Sequence, residues 1–187
     1  MKDHTLDGGF DNPPHDSANA FRAIMTAMAC PGRIEMLGGA SGPAPLSGAA
    51  ATALLTLCDS TTPLSLAPGV NSAALRAWIA FHTGAPLVSP EDSVFALGRW
   101  GDLQPLARFS HGTPEYPDRS ATLIVESPAL ESTGARLTGP GIETEAWLSL
   151  PEIAAFQANA ARFPLGLDFL FTAGWQIAAL PRSTQVR

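Results

Sequence analysis

Apolar residues recur at helical spacing in several segments of the chain. Ser17 precedes the first of these segments as an N-cap, and Gly84 follows the third as a stop. Ser149 and Glu152 form a capping signal before the fourth. The second segment is apolar nearly all round, which predicts a buried helix. The pattern therefore predicts helices over residues 17–32, 48–59, 71–84 and 149–163.

Short runs rich in β-branched and aromatic residues lie between these helices. The strongest strand pattern is residues 121–127, and residues 167–172 and 175–180 form a hairpin pattern around an Ala-Gly turn. Shorter strands are predicted in residues 33–37, 86–88, 93–97, 135–142 and 145–150. Because helices and strands alternate without repeats, we expect an α/β layered domain with a mixed sheet. Residues 1–16 are polar and predict an N-terminal arm, and residues 17–187 predict a single α/β domain.

Charge and composition narrow the classes of function. The net charge is −6 and no basic run occurs, which argues against a nucleic-acid partner. Charged residues make up only 15% of the chain, so either a partner covers part of the surface or the core is large. No segment has the pattern of a membrane span or of an apolar export signal, which predicts a soluble, cytoplasmic protein.

The sequence lacks the residues that several common kinds of catalytic and cofactor-binding site require. The chain has a single lysine, Lys2, so neither a phosphate-binding P-loop nor a lysine-bound pyridoxal phosphate is expected. His82 lies on an apolar helical face, which is typical of a histidine with a satisfied ring, whereas His111 lies in a loop and is the more interesting of the two. No histidine or cysteine spacing matches a metal site, and no nucleophile motif occurs. We therefore predict no cofactor, no metal and no catalytic residue.

Three features remain as candidates for binding. Arg33 is either a surface arginine or a guanidinium aimed at phosphate or phosphonate oxygens. Gly139 and Gly141 flank Pro140, which favours a tight turn over an anion-binding loop. Asp168 interrupts an apolar strand, where an unpaired carboxylate is costly. The hairpin brings Asp168 near Arg182, so we predict a structural pair or a contact to backbone N–H groups.

Four segments of the chain form a recognisable set: FRAIMTAMACPG (21–32), LLTLCDSTTPL (54–64), LTGPGI (137–142), and FPLGLDFLF with ALPRST (163–184). In that order and spacing they resemble the H-subunit family of the bacterial carbon–phosphorus lyase system. The resemblance covers nearly the whole chain and is specific because all four segments occur together.

The resemblance implies a fold and a setting. It implies a three-layer α/β/α fold similar to the large domain of pyridoxal phosphate-dependent transferases, without the lysine that holds that cofactor. It also implies a homodimer that joins the G, I and J subunits in a core complex. That system, with an ATPase-like L protein, displaces adenine from ATP with a phosphonate to give a ribose 1-phosphonate 5-triphosphate. No catalytic residue carries over to this chain from the family.

Two hypotheses follow. The first is an accessory subunit that supports this transferase complex. The alternative is a subunit with its own pocket for ATP or phosphonate, formed by Arg33, Gly139, Gly141, Asp168 and Arg182. A stand-alone hydrolase is a more distant reading, since no nucleophile or metal spacing supports it.

Overall fold

The structure is a computed structural model that describes residues 6–187. Its α-helices are α1 (Pro13–Ala29), α2 (Gly48–Leu57), α3 (Ala73–His82) and α4 (Ile153–Ala160). Its strands are β1 (Glu35–Met36), β2 (Leu64–Leu66), β3 (Phe95–Arg99), β4 (Thr122–Glu126), β5 (Ala135–Thr138), β6 (Ala146–Leu148), β7 (Asp168–Ala173), β8 (Gln176–Leu180) and β9 (Gln185–Val186). Short 3-10 helices interrupt the irregular region between β3 and β4.

A six-stranded mixed sheet forms the centre of the fold, in the order β1-β8-β7-β4-β3-β2. Strands β2, β3, β4 and β7 are parallel. Strand β8 returns antiparallel to β7, and β1 adds antiparallel to β8. The mixed α/β class predicted from the sequence is therefore confirmed.

The two faces of this sheet are covered differently. Alternate residues of the central strands point to opposite sides, as a pleated strand requires. On one side, Ile124 and Leu170 pack in a cluster with α1, α2 and α3. On the other side, Phe169 and Phe171 pack with Phe156 of α4 and with a small antiparallel sheet, β6-β5-β9. The second outer layer thus combines one helix with a three-stranded sheet.

Most predicted elements are observed, including the buried helix α2 and the β7–β8 hairpin. The predicted start of the first helix is wrong: α1 begins at Pro13, and Ser17 does not cap it. The reason is that proline is favoured in the first turn of a helix, so Pro13 and Pro14 begin α1. The division into an arm and one domain stays a prediction.

Two further local predictions are corrected. Ser149 does not cap α4; its hydroxyl instead accepts a hydrogen bond from the backbone N–H of Glu131. Glu152 is the residue before α4, and its carboxylate binds the indole of Trp100. Residues 86–88 do not form a strand, since only an isolated bridge joins Leu87 to Leu64.

The first described residues pack against α3. The indole N–H of Trp78 donates to the backbone carbonyl of Asp7 at 3.1 Å. The ring of His82 contacts the carbonyl of Leu6 at 2.8 Å. His82 is half-buried, and its ring is satisfied as predicted. None of the helices in residues 6–187 has both the length and the apolar character needed to cross a membrane.

Candidate functional site

A cavity of about 580 Å³ opens where the parallel strands β3 and β4 end. Arg99 is the last residue of β3 and lies opposite Glu126, the last residue of β4. In open α/β sheets, ligands bind outside the carboxyl ends of parallel strands. We call this space the carboxyl-edge cavity. Its lining residues are Pro45, Ser47, Arg99, Trp100, Gly101, Glu126, Ser127, Pro128 and Pro151.

Glu126 is the ionisable group held most firmly at this cavity. Its carboxylate accepts a 2.7 Å hydrogen bond from the backbone N–H of Ser47 and a 3.2 Å bond from the hydroxyl of Thr172. Ser47 is the N-cap of α2, since its own hydroxyl accepts from the backbone N–H of Ala50. The carboxylate therefore lies at the positive end of the α2 dipole.

The pKa of Glu126 is raised above its ordinary value. Burial is the main cause, and it is opposed by the hydrogen bonds from Ser47 and Thr172 and by the positive charge of Arg99. A carboxyl group with a raised pKa in a cleft can serve as a proton donor or acceptor, or as a ligand for hydroxyl groups.

Trp100 and Arg99 form other walls of the cavity, and only Trp100 is fixed by contacts to neighbouring side chains. The indole N–H of Trp100 donates to Glu152 at 3.1 Å, and its ring packs on Phe156 with the centroids 4.7 Å apart. Within residues 6–187, the guanidinium of Arg99 has no hydrogen-bond or ion-pair partner, so it is free to meet a ligand. The cavity thus combines a fixed aromatic wall with an available cation.

Sequence reasoning did not identify this site. The available signal was a charged residue at the end of each of two apolar strands, Arg99 after FALG and Glu126 after TLIV. Such residues meet only if their strands are parallel neighbours. Because the order of the strands was not predictable from the sequence, these two charged residues could not be assigned to one site.

Two of the predicted binding residues, Arg33 and Gly141, share a different cavity of about 350 Å³. Arg33 is not a free cation there, because its guanidinium pairs with Glu35. Glu143 and Glu145 also line this cavity and would repel an anion. The surroundings therefore give little support to the predicted contact between Arg33 and phosphate oxygens.

The Gly139–Gly141 segment forms the tight turn that the sequence favoured. The backbone N–H of Ile142 donates to the carbonyl of Gly139 at 3.2 Å, which closes a four-residue turn. Pro140 occupies the second position, and Gly141 has φ +80°, as a type II turn requires at its third position. Gly139 itself lies beside the backbone of Ser183.

Asp168 and Arg182 form the predicted pair, which is confirmed. Oδ1 of Asp168 accepts from the backbone N–H of Arg182 at 2.8 Å, and Oδ2 lies 2.5 Å from its Nη2. Arg182 also donates to the carbonyl of Pro117 at 2.6 Å and to the hydroxyl of Ser120. These contacts hold both side chains inside the protein, apart from the cavity lined by Arg33 and Gly141. A ligand-binding role for any of the five predicted residues stays a prediction.

Among residues 6–187, no group of three or more histidine, cysteine or acidic side chains is placed to hold a metal ion. Cys58 is buried, whereas Cys30 is half-buried and lines the cavity beside Arg33.

Comparison with known proteins assigns the family. Residues 8–187 match the model of PhnH, a bacterial phosphonate metabolism protein. The chain is 39% identical over 188 aligned positions to the PhnH subunit of α-D-ribose 1-methylphosphonate 5-triphosphate synthase from Rhizobium meliloti, covering 96% of this chain and 94% of the relative. It is 33% identical to HtxG of Stutzerimonas stutzeri, named a candidate C–P lyase subunit protein, covering 89% and 84%. The chain belongs to the PhnH family of bacterial phosphonate metabolism proteins.

Proposed function

We propose that this protein is the H subunit of a carbon–phosphorus lyase assembly, in which a phosphonate is transferred to the ribose of ATP and adenine is displaced. The observation that carries the proposal is the similarity to a subunit of α-D-ribose 1-methylphosphonate 5-triphosphate synthase, which extends over 96% of this chain and 94% of the relative. A similarity of that extent concerns the whole fold and not one shared segment. In this proposal the chain is accessory and acts by binding the other subunits.

Apolar side chains on the surface support a role in assembly. Phe21 and Met25 lie one turn apart on α1 and are 48% and 49% exposed. Met36, in the edge strand β1 beside α1, is 68% exposed. Neighbouring exposed apolar side chains are typical of surfaces that bind other proteins. We propose that the partners are a second copy of this chain and the G, I and J subunits.

The proposal includes two finer expectations. One is a fold like the large domain of pyridoxal phosphate-dependent transferases, which the six-stranded mixed sheet with helices against one face supports. The other is a cytoplasmic location, which stays a prediction from the sequence.

Co-expression tests the assembly directly. The tagged full chain, produced with the G, I and J subunits, should purify with them as one species by size-exclusion chromatography and native mass spectrometry. The chain alone should sediment as a dimer. A chain that stays free of all three subunits would overturn the proposed role, and a free monomer would overturn the dimer.

Activity tests the accessory role. With the L protein, ATP and methylphosphonate, the assembly should release adenine, and the same mixture without this chain should not. The purified chain alone should release none. Adenine release by the isolated chain at a rate comparable with the assembly would show that it is itself the transferase.

The carboxyl-edge cavity favours a second candidate function, a binding pocket for ATP or phosphonate on this subunit. The guanidinium of Arg99, which has no hydrogen bond or ion pair within residues 6–187, and the indole of Trp100 border about 580 Å³ of space. Glu126 lines the same cavity, and its raised pKa favours the neutral carboxyl group, which repels an anion less than a carboxylate does. Calorimetric titration of the full chain with ATP and with methylphosphonate tests this candidate. If the wild-type chain binds either ligand with saturable heat and Arg99→Gln does not, the candidate is supported. If the wild-type chain gives no binding heat and the ligands do not change its melting temperature, the candidate is contradicted.

A further inference from the structure

A smaller cavity of about 180 Å³ lies between α4 and the irregular segment that follows β3. Its polar side chains are Gln104, His111, Asn159 and Arg162. The amide of Asn159 is fully engaged, since it donates to and accepts from the backbone of Leu167 at 2.8 Å. Gln104, His111 and Arg162 are therefore the groups left to meet a ligand. The remaining lining residues are Leu106, Ala107, Ala155 and Ala158.

Two of these side chains carry buried nitrogens with unused hydrogen-bonding capacity. Within residues 6–187, Nε2 of Gln104 and Nδ1 of His111 have no hydrogen-bond partner. Buried polar groups without partners are uncommon because each one costs free energy. The amide and the imidazole each turn about a soft, roughly twofold torsion. A half-turn exchanges the positions of the amide nitrogen and oxygen in Gln104, and of a ring nitrogen and a ring carbon in His111.

Charge separates this cavity from the other two. Arg162 follows α4, is exposed, and its guanidinium has no ion-pair or hydrogen-bond partner in the described part of the chain. No acidic side chain is among the residues that line the cavity. The carboxyl-edge cavity contains Glu126, and the cavity of Arg33 contains Glu143 and Glu145. In a chain with net charge −6, this is the one of these three cavities whose lining favours an anion.

We propose that Arg162, Gln104 and His111 bind a compact tetrahedral oxyanion, such as a phosphate or phosphonate group. Arg162 supplies the charge and two donors in a fixed fork, which matches phosphoryl oxygens. Gln104 and His111 donate from Nε2 and Nδ1 and thereby gain the partners that they otherwise lack. The site does not depend on the assembly role, because it is made from one chain.

The environment of His111 agrees with an anion site. Burial lowers the pKa of His111, and the positive charges of Arg162 and Arg182 lower it further. Arg182 is already neutralised in part by Asp168 at 2.5 Å, whereas Arg162 has no such partner among the described residues 6–187. A bound anion offsets the charge of Arg162 and so raises the pKa of the imidazole.

Nuclear magnetic resonance of the histidine rings, recorded on the full chain at constant ionic strength, tests the site. Inorganic phosphate is the first probe, and His111→Asn assigns the ring signal. We expect a saturable shift of the His111 signal at millimolar phosphate and a higher pKa for that ring when phosphate is bound. Arg162→Gln should weaken binding by about tenfold or more, because charge-assisted bonds to the anion are lost. Gln104→Met, which keeps the side-chain volume, should also weaken it.

Arg76→Gln is the matched control, since Arg76 is an exposed arginine on α3 and its change removes the same charge. This control should bind phosphate as the wild type does. No saturable shift of His111, or equal binding by the wild type and Arg162→Gln, would overturn the site. Equal losses in Arg76→Gln and Arg162→Gln would also overturn it, since they would show attraction by overall charge alone.

Two further probes identify the source of the anion. Methylphosphonate and ATP are titrated in the same way as phosphate. A His111 shift with methylphosphonate and none with ATP supports a free phosphonate or phosphate group. Tighter binding of ATP supports the phosphate chain of a nucleotide. Either result supports an oxyanion site at Arg162. The titration uses the isolated chain, so it tests this site even if the chain does not join the assembly.

Discussion

The carboxylate of Asp168 accepts hydrogen bonds from both the backbone and the side chain of Arg182, at 2.8 Å from the backbone N–H and 2.5 Å from Nη2. The two side chains are only 16% and 14% exposed. The pair lies where β7 begins and β8 has just ended, so it fixes the open end of the hairpin. An acid in an apolar strand is tolerated here because each of its oxygens has a donor.

We predict that Asp168→Asn lowers the free energy of unfolding by roughly 2 to 4 kcal/mol, because Arg182 is left as a poorly solvated charge without its counterion. Chemical denaturation of the full chain measures the loss. Glu35→Gln is the control: its partner Arg33 is 61% exposed, so the loss should stay below about 1 kcal/mol. Equal losses in the two variants would contradict a structural role for the Asp168 pair.

The Asp168 pair was predictable because a hairpin is local. A short turn directly after an apolar strand brings the next strand back beside it, so the two ends must meet. The turn itself is Gly174–Trp175, one residue later than the predicted Ala-Gly, because Ala173 still pairs with Gln176. The buried helix α2 was predictable for a similar reason, since its composition alone places it in the core. Both predictions needed only neighbouring residues.

The contact between Glu126 and Ser47 was not predictable in this way. It joins residues 79 positions apart and depends on the placement of α2 over the carboxyl ends of the parallel strands. Parallel strands need long crossovers, so the local pattern does not fix their order. The His111 cavity was missed for the same reason, because α4 meets the segment after β3 only in the folded chain.

We predict that Gly141→Ala destabilises the fold by about 2 kcal/mol or more, since Gly141 has φ +80° and an added Cβ would overlap the carbonyl oxygen of Ala29. That oxygen belongs to the backbone at the end of α1 and cannot rotate away. Gly101→Ala is the control, because a Cβ there meets no atom within 4 Å. Its effect should stay within about 0.5 kcal/mol. Thermal and denaturant unfolding give both values, and similar losses would argue against a required close approach at Gly141.

We predict that a thiol reagent modifies Cys30 and spares Cys58 in the folded protein. Burial raises the pKa of the Cys58 thiol to about 12, and the charge of Asp59 adds to the rise. The reactive form is the thiolate, so Cys58 should stay unmodified at mildly alkaline pH until the protein unfolds. Iodoacetamide labelling followed by peptide mass spectrometry separates the two cysteines. Cys30→Ser should abolish labelling of the folded chain, and rapid labelling of Cys58 in that variant would contradict its burial.

The last prediction concerns Glu126 and the pH dependence of stability. Burial raises the pKa of Glu126 in the folded state, so between the ordinary and the raised value the folded protein binds more protons than the unfolded chain. Stability then falls as the pH rises through that window. This change of stability with pH is opposite in sign to that caused by a carboxylate in a favourable ion pair, which stabilises the protein more as the pH rises.

Glu126→Gln removes this dependence and keeps an acceptor oxygen for the backbone N–H of Ser47. We expect the stability of the variant, relative to the wild type, to increase from about pH 4.3 upward, by about 1.4 kcal/mol for each unit by which the pKa is raised. Denaturant unfolding of both proteins at several pH values measures the difference, and all other titrating groups cancel because the two chains share them. If the stability of the variant instead decreased relative to the wild type as the pH rose, burial would not be the dominant effect on the pKa of Glu126. The hydrogen bonds from Ser47 and Thr172 and the charge of Arg99 would then outweigh it. Glu126 would then be an ionised anchor for α2 and not a proton-holding group of the carboxyl-edge cavity.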